Sequence, residues 1–383
     1  MGDVTIREYQ TGDAETAWRL RQVPFGGPVE VHETWLRQPV WRGFLASTGG
    51  ADAGFAMVRP YRQFFGGRAV PMGGVASVAV APEARGKGVG GALMEALIAD
   101  MRQQGQPISA LYPTVPALYR SRGWERGGVL ESVELPVHAF QGRRARIDLR
   151  GATEADLPAM REQYHRLARG VDGMLDRRTA SHRPQELLAC AASLVTDGGY
   201  LLAEPDRQNR VLEVRELVAD TPEVALGLLD SIGSWTGLLD RVKLHIADET
   251  LLGVLEWSAL DGRKRTQPWL LRVVDLPAAV AARGWPTAPH LHGQSVDLEI
   301  EDTHAPWHAG RQRLVVEDGA VRVEPGGTGA VRLTARGLGA WYSGSASTAG
   351  LRRAGLLEGD PGHTTLLDLL VGAPGTPRMA DYF

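Results

Sequence analysis

The chain has 383 residues, with 42 Lys and Arg against 45 Asp and Glu, and a single cysteine, Cys190. That length holds two or three domains, each able to bury its own core. A net charge of −3 without a basic stripe argues against a general nucleic-acid binder, and one cysteine excludes both a disulfide framework and a thiolate zinc site.

No apolar run approaches the ~18 residues of a membrane span, and the start of the chain has neither a signal-peptide profile nor a myristoylation pattern. A cytoplasmic protein is expected. Cys190 falls in Leu187-Leu188-Ala189-Cys190-Ala191-Ala192, so it reads as a buried structural thiol.

The first segment, to about residue 144, reads as mixed helix and strand. Strands are predicted over 4–8, 43–47, 54–58 and 75–80, and Gly12-Asp13-Ala14-Glu15 opens a helix carrying Trp18 and Leu20. The 75–80 strand runs through Pro82 into Ala84-Arg85-Gly86-Lys87-Gly88-Val89-Gly90-Gly91. That turn opens an amphipathic helix with Val89, Leu93, Met94, Leu97, Ile98 and Met101 on its apolar face. A strand, loop and helix start of this kind aims backbone N–H groups and the positive end of a helix dipole at one spot, which suits a pyrophosphate.

Spacing separates the loops that do this. A P-loop needs Ser or Thr after Gly-Lys, and here Gly88 follows Lys87. A dinucleotide fingerprint is literally present at Gly86, Gly88 and Gly91, but the next strand, 108–111, ends in Tyr112-Pro113 without a carboxylate. What remains is Arg85-x-x-Gly88-x-Gly90, which resembles the Arg/Gln-x-x-Gly-x-Gly/Ala signature of the GNAT superfamily of N-acetyltransferases, where it cradles the pyrophosphate of acetyl-CoA. A glycine turn serving only helix–strand packing is the alternative; the order of strand, proline, arginine and glycines argues against it.

On this reading the backbone of Val78, Ala79 and Val80 pairs with the pantetheine arm, while Arg85, Gly86, Lys87, Gly88, Val89 and Gly90 form the diphosphate cradle. Amide formation from a thioester also needs a proton for the departing thiolate. The resemblance implies that the tyrosine of Tyr119-Arg120-Ser121-Arg122-Gly123-Trp124 sits beside the thioester sulfur as general-acid candidate, and a phenol of pKa ~10 stays protonated at neutral pH. Tyr112 is the lesser candidate, with Pro113 following it at a strand end. His138 reads as structural. His290, His292, His304 and His308 are too irregularly spaced for a metal site, so no metal is expected.

From Ile147 the pattern starts again. Ile147 to Asp156 echoes Val4 to Glu15, strands over 199–203 and 211–217 repeat those before the glycine bend, and Val218 to Leu229 follows Ala79 to Leu93 without the Arg-Gly-Lys-Gly-Val-Gly-Gly insert. The last third carries alternating runs at 296–301, 311–316, 320–324 and 331–334, expected as antiparallel strands with a hairpin turn at Glu317-Asp318-Gly319. Helical stretches follow near 338–341, 349–354 and 364–370, then a tail ending in Tyr382-Phe383, whose rings are expected to dock.

An intact acetyltransferase segment, a degenerate copy and a strand-rich third part ending in an aromatic residue together resemble the enhanced intracellular survival (Eis) family of acetyltransferases that modify aminoglycosides at several positions. The resemblance implies an α/β (α+β) chain of tandem acetyltransferase domains, 1–144 and a degenerate 145–268, followed by a sterol-carrier-protein-like α+β domain, 269–383. It implies acetyl-CoA as co-substrate, Tyr119 as general acid, Thr114 beside the thioester, and the terminal carboxylate of Phe383 returned to the first domain's site to assist deprotonation. It also implies a homo-hexamer. The sequence departs from the family in the bend, where Gly86-Lys87 stands for part of an arginine run, and at Pro113 and Pro116 before Tyr119. Phe25, Trp35, Trp41, Tyr61, Phe64 and Phe65 are candidates to line an acceptor pocket, with Glu30, Glu33 or Asp381 to attract an amine. Two other readings are a lipid or ligand carrier with an acetyl-CoA-gated scaffold, and a protein lysine acetyltransferase.

Overall fold

The computed structural model describes residues 3–36, 40–142, 146–247, 251, 253, 263–317, 319–372 and 375–383. Arg143 and Arg144 at the first junction, Asp318 of the hairpin turn and the side chain of Glu33 lie outside the described residues.

The first half runs β1 (Val4–Glu8), α1 (Ala14–Phe25), α2 (Glu33–Leu36), β2 (Arg42–Thr48), β3 (Ala51–Phe65), β4 (Arg68–Val80), α3 (Val89–Gln103), β5 (Ile108–Leu111), α4 (Pro116–Arg120) and β6 (Glu125–Pro136). The strands expected at 54–58 and 75–80 are the inner parts of β3 and β4, which continue to a tight turn at Gly66 and Gly67, both at positive φ. The outer end of β3 is paired by a distant segment: Gly173 donates to the Phe64 carbonyl, Phe64 to that of Met174 and Asp176 to that of Arg62, each at 2.8 Å.

The second half repeats this plan with β7 (Arg150–Gly151), α5 (Leu157–Arg169), β8 (Ala192–Thr196), β9 (Gly199–Asp206), β10 (Val211–Ala219), α6 (Pro222–Gly233), β11 (Arg241–His245) and β12 (Arg263–Val273). The echo holds to single contacts. Asp13 accepts from Gln10 N–H and pairs with Arg7 at 2.7 Å; Asp156 accepts from Thr153 N–H and pairs with Arg150 at 2.6 Å. A Cβ at Gly54 would strike Val89, Leu93 and the Ala79 carbonyl, and one at Gly199 would strike Val224, Leu228 and the Val218 carbonyl.

Among the described residues, twelve strands form one sheet in the order β1-β2-β3-β4-β5-β12-β6-β11-β10-β9-β8-β7. The order is symmetric about its centre, and the two central strands are exchanged. β6, which follows β5, pairs with β11; β12, which follows β11, pairs with β5. Each half is completed by the other's last strand.

The third part, α7 (Leu276–Ala282), β13 (Ser295–Glu301), β14 (Gly310–Glu317), β15 (Ala320–Pro325), β16 (Val331–Thr334), α8 (Ala335–Ser343), α9 (Thr348–Arg353), β17 (Leu357–Gly359) and α10 (Pro361–Val371), forms a sheet in the order β15-β14-β13-β16-β17. The expected antiparallel run needs one correction, since β16 lies parallel to β13. The chain crosses the end of the sheet through Gly326, Gly327 and Gly329, all at positive φ, with Thr328 N–H donating to Asp297 at 2.8 Å. One face of this sheet is filled by Leu298, Leu314, Leu333, Leu338, Trp341 and Leu367, all buried. No helix among the described residues is long and apolar enough to cross a membrane.

Arg272 on β12 joins the parts. Its guanidinium, with no solvent exposure, donates to both carboxylate oxygens of Asp302, at 2.9 and 2.7 Å, and to the carbonyl of Arg122. His308 accepts from Leu276 N–H through Nδ1, which leaves its Nε2–H to donate to Asp302 at 3.1 Å. Burial pushes the Asp302 carboxyl up, but the His308 hydrogen bond and the Arg272 charge outweigh it and hold the group at about 2.

Asp302→Asn strands a buried guanidinium, so it should lower unfolding free energy in urea at pH 7 by about 3–5 kcal/mol. Because the folded carboxyl titrates below the ~3.9 of an unfolded aspartate, its contribution is present above that value and fades as pH falls toward 2. The gap between parent and variant should therefore close across that window; a gap independent of pH would show that the carboxylate charge is not what stabilises the pair.

Candidate active site

β4 and β5 run parallel through Met72↔Ile108, Gly73↔Ser109 and Gly74↔Ala110, and there β5 is about to end while β4 continues to Val80. On its other side β4 stays paired with β3 as far as Gly54↔Val80. The β5-facing edge of 75–80 therefore has no strand partner among the described residues. The register shift between Phe55↔Ala79 and Met57↔Ala76 sets Ser77 and Val78 opposite Ala56, and Ser77 takes a φ of 53°. Such a bulge re-aims the peptide groups beside it. Val78 and Val80, both half-buried, lie on this unpaired stretch.

At the end of this edge lies the glycine bend. Gly86 and Gly88 have φ of 77° and 87°, and a Cβ on either would meet nothing within 4 Å. Backbone conformation, not space, requires glycine at both. Gly88 caps α3 without a side chain, so the N–H groups of the first helical turn, Val89 to Gly91, have no intrahelical acceptor. Arg85 and Lys87 flank them, exposed. A Cβ on Gly90 would sit 3.4 Å from Leu118, which leaves the bend close to the Tyr119 segment. The donor set fits a diphosphate.

The matching place in the second half does not. Thr221 accepts from Val224 N–H at 3.3 Å, Pro222 has no N–H, and the stretch from Val218 to Val224 is four residues shorter than that from Ala79 to Val89. At the start of α6 one donor is capped by the helix's own Thr221 and another is absent.

Tyr119 stands on α4, buried, with Thr114 as its side-chain hydrogen-bonding partner. Burial pushes its phenol up, and the Thr114 hydrogen bond pulls the other way. Its carbonyl accepts from Arg122 and Trp124 N–H groups at 2.9 and 3.2 Å, closing a turn in which Gly123 has φ of 89°. Tyr112 is otherwise engaged: its hydroxyl donates to the Asp381 carbonyl at 2.8 Å, and burial drives its phenol well above the ordinary range.

The C-terminal tail returns to the first half. Val129 N–H donates to the Pro377 carbonyl at 3.0 Å and Met379 N–H to that of Val129 at 2.9 Å. The Phe383 ring packs on Tyr61 at 4.9 Å and on Tyr112 at 5.7 Å, and a Cβ on Gly74 would lie 2.8 Å from it. Gly74 is the last β4 residue paired with β5. The terminal residue therefore sits where the two strands part.

Other expected residues fall elsewhere. Trp35 is buried among Trp18, Trp41 and Phe55, at 5.3, 5.0 and 5.4 Å, and its carbonyl accepts from Tyr9. Phe64 is buried against His165 at 5.3 Å, in a cluster with Tyr164 and Met174 of the second half. Neither presents a surface to an acceptor, and Phe65 is likewise buried. Phe25 and Glu30 are exposed. Asp381 is no free anion, since Arg177 donates to it at 2.9 Å and Tyr164 at 3.1 Å. Sequence reasoning missed Arg177 and Tyr164; no local pattern marks them, and only the docking of the second half on β3 brings them here. Cys190 is half-buried rather than core, at a cleft of about 360 Å³ that Arg177, Leu187 and Tyr382 also line. Among the described residues no three His, Cys, Asp or Glu side chains are grouped to hold a metal ion.

Residues 5–127 match the acetyltransferase (GNAT) domain family, and residues 276–380 match the sterol carrier protein domain family. An uncharacterised N-acetyltransferase of Streptomyces coelicolor is 29% identical over 357 residues, covering 84% of this chain and 81% of its own. The N-acetyltransferase Eis of Mycobacterium tuberculosis is 27% identical over 384 residues, covering 90% and 86%. The crystal structure of a GCN5-related N-acetyltransferase from Kribbella flavida superposes with a TM-score of 0.87 at 29% identity, covering 100% of this chain and 99% of that one.

Gly88→Ala puts a side chain where φ is positive, at a cost of about 1–2 kcal/mol. The free bend should relax out of shape, and calorimetry should then show coenzyme A binding weakened about tenfold. Unchanged affinity would mean that this bend is not the grip.

Proposed function

The chain belongs to the Eis-like family of GNAT N-acetyltransferases, and we propose that it moves the acetyl group of acetyl-CoA onto primary amines of a small cationic acceptor, aminoglycosides at several positions among them. The observation that carries this reading is the uncapped start of α3 at the end of the unpaired edge of β4. Acetyl-CoA would supply an activated carbonyl joined to a sulfur that leaves readily. The Val78–Val80 edge would hold the pantetheine arm, and the N–H groups from Gly86 to Gly90, with Arg85 and Lys87, the diphosphate.

The chemistry left to the protein is alignment and two proton movements. As the amine nitrogen bonds to the carbonyl carbon and the carbon–sulfur bond breaks, Tyr119 gives its phenolic proton to the sulfur, and Thr114 orients that phenol. The Phe383 carboxylate, ionised at neutral pH from a starting pKa of ~3.5, takes the proton the amine sheds, through water. The division into 1–144, 145–268 and 269–383 belongs to the same proposal, with β12 spanning its second boundary. So do a hexameric assembly, implied by the family, and a cytoplasmic location, expected from the sequence.

Tyr119→Phe should lower kcat by about a hundredfold while acetyl-CoA affinity stays within a factor of about two. Unchanged turnover would remove Tyr119 from the reaction. Coenzyme A release screened across aminoglycosides, polyamines, arylamines and lysine peptides tests the acceptor class. Turnover confined to lysine peptides would replace the small-molecule reading with protein acetylation, and no release with any amine would favour the carrier reading.

A further inference from the structure

The tail's position depends on a buried polar cluster supplied mostly by the half that lacks a diphosphate cradle. Arg177 lies in the segment that follows α5 and docks on the outer end of β3. Its Nε donates to Asp381 Oδ1 at 2.9 Å, its Nη2 lies 2.6 Å from Glu216 Oε2 on β10, and its guanidinium stacks 3.8 Å from the Tyr164 ring centroid. Tyr164 donates to the other Asp381 oxygen at 3.1 Å, and Tyr200 donates to Glu216. From the first half, Tyr112 donates to the Asp381 main-chain carbonyl at 2.8 Å. Asp381 is thus held by its side chain from one half and by its backbone from the other.

Two residues later stands Phe383. A terminus held only by the Phe383 ring would leave its carboxylate free to swing, because a chain end carries few backbone constraints. A fork of charge-assisted hydrogen bonds with little solvent access fixes orientation as well as distance.

We propose that Arg177 is a positioning residue: by clamping Asp381 it aims the Phe383 carboxylate at the acceptor amine, so that the second, non-gripping half contributes to turnover by holding the tail. This rests on the reading of Phe383 as proton acceptor given above. Arg177 does not touch the reacting atoms, and its removal should act only through Phe383.

The test is a double-mutant cycle on the full chain: parent, Arg177→Gln, a chain lacking Phe383, and the combination, each assayed for kcat and for acetyl-CoA KM. Losing Phe383 should lower kcat about tenfold or more. Arg177→Gln should lower kcat about tenfold with acetyl-CoA KM within about twofold, yet change it less than about twofold when Phe383 is already absent. Asp381→Asn, which keeps the side-chain shape and weakens the clamp, should follow Arg177→Gln and serves in its place if thermal melts show that variant unfolded. Equal losses with and without Phe383 would overturn the clamp. A chain lacking Phe383 that turns over normally would instead overturn the reading of the carboxylate, a different result in a different arm.

Discussion

The buried pair of Arg272 and Asp302 ties the architecture together. Two charges removed from water are costly unless they are paired and hydrogen-bonded; here Nη1 and Nη2 of Arg272 have partners, while its buried Nε has none. Arg272 arrives on β12, the strand the second half lends to the first; Asp302 follows β13 of the third part; the Arg122 carbonyl belongs to the turn that carries Tyr119. Trp124 lies under the guanidinium at 5.5 Å, and no residue but glycine fits at 123, because a Cβ there would overlap Arg272. The proposed proton donor is placed by a strand from one half and an acid from another part of the chain.

Strand exchange makes the two halves structurally interdependent. With β6 paired to β11 and β12 paired to β5, neither half closes its sheet alone. The halves differ at the starts of α3 and α6. Gly88 leaves donors bare, while Thr221 covers one and Pro222 deletes another. The second half presents Tyr164 and Arg177 to the tail, with Glu216 held on Arg177.

What the sequence shows is whatever neighbouring residues decide. The glycine bend, the helix behind it, the ends of β5 and the repeated Asp13 and Asp156 caps are local, and each stands where composition and spacing place it. What it hides is non-local pairing. Nothing near Phe64 announces that residues 173–176 pair beside it and bury the ring, and nothing in 331–334 announces a parallel neighbour. Trp35 shows the same limit in side chains: an aromatic residue of the core and one of a pocket look alike until their neighbours are known. Asp381 reads as a free acid because its partners lie about two hundred residues earlier in the chain.

The two helix starts differ in cap, in loop length and in flanking charge, and only the first is proposed to bind a coenzyme A thioester. A crystal of the full chain soaked in acetyl-CoA tests it most directly. One molecule per chain is expected, its diphosphate on the N–H groups of Gly86 to Gly90 and its arm along Val78 to Val80. A diphosphate at Thr221 and Pro222, or a bend left empty at saturating acetyl-CoA, would contradict it.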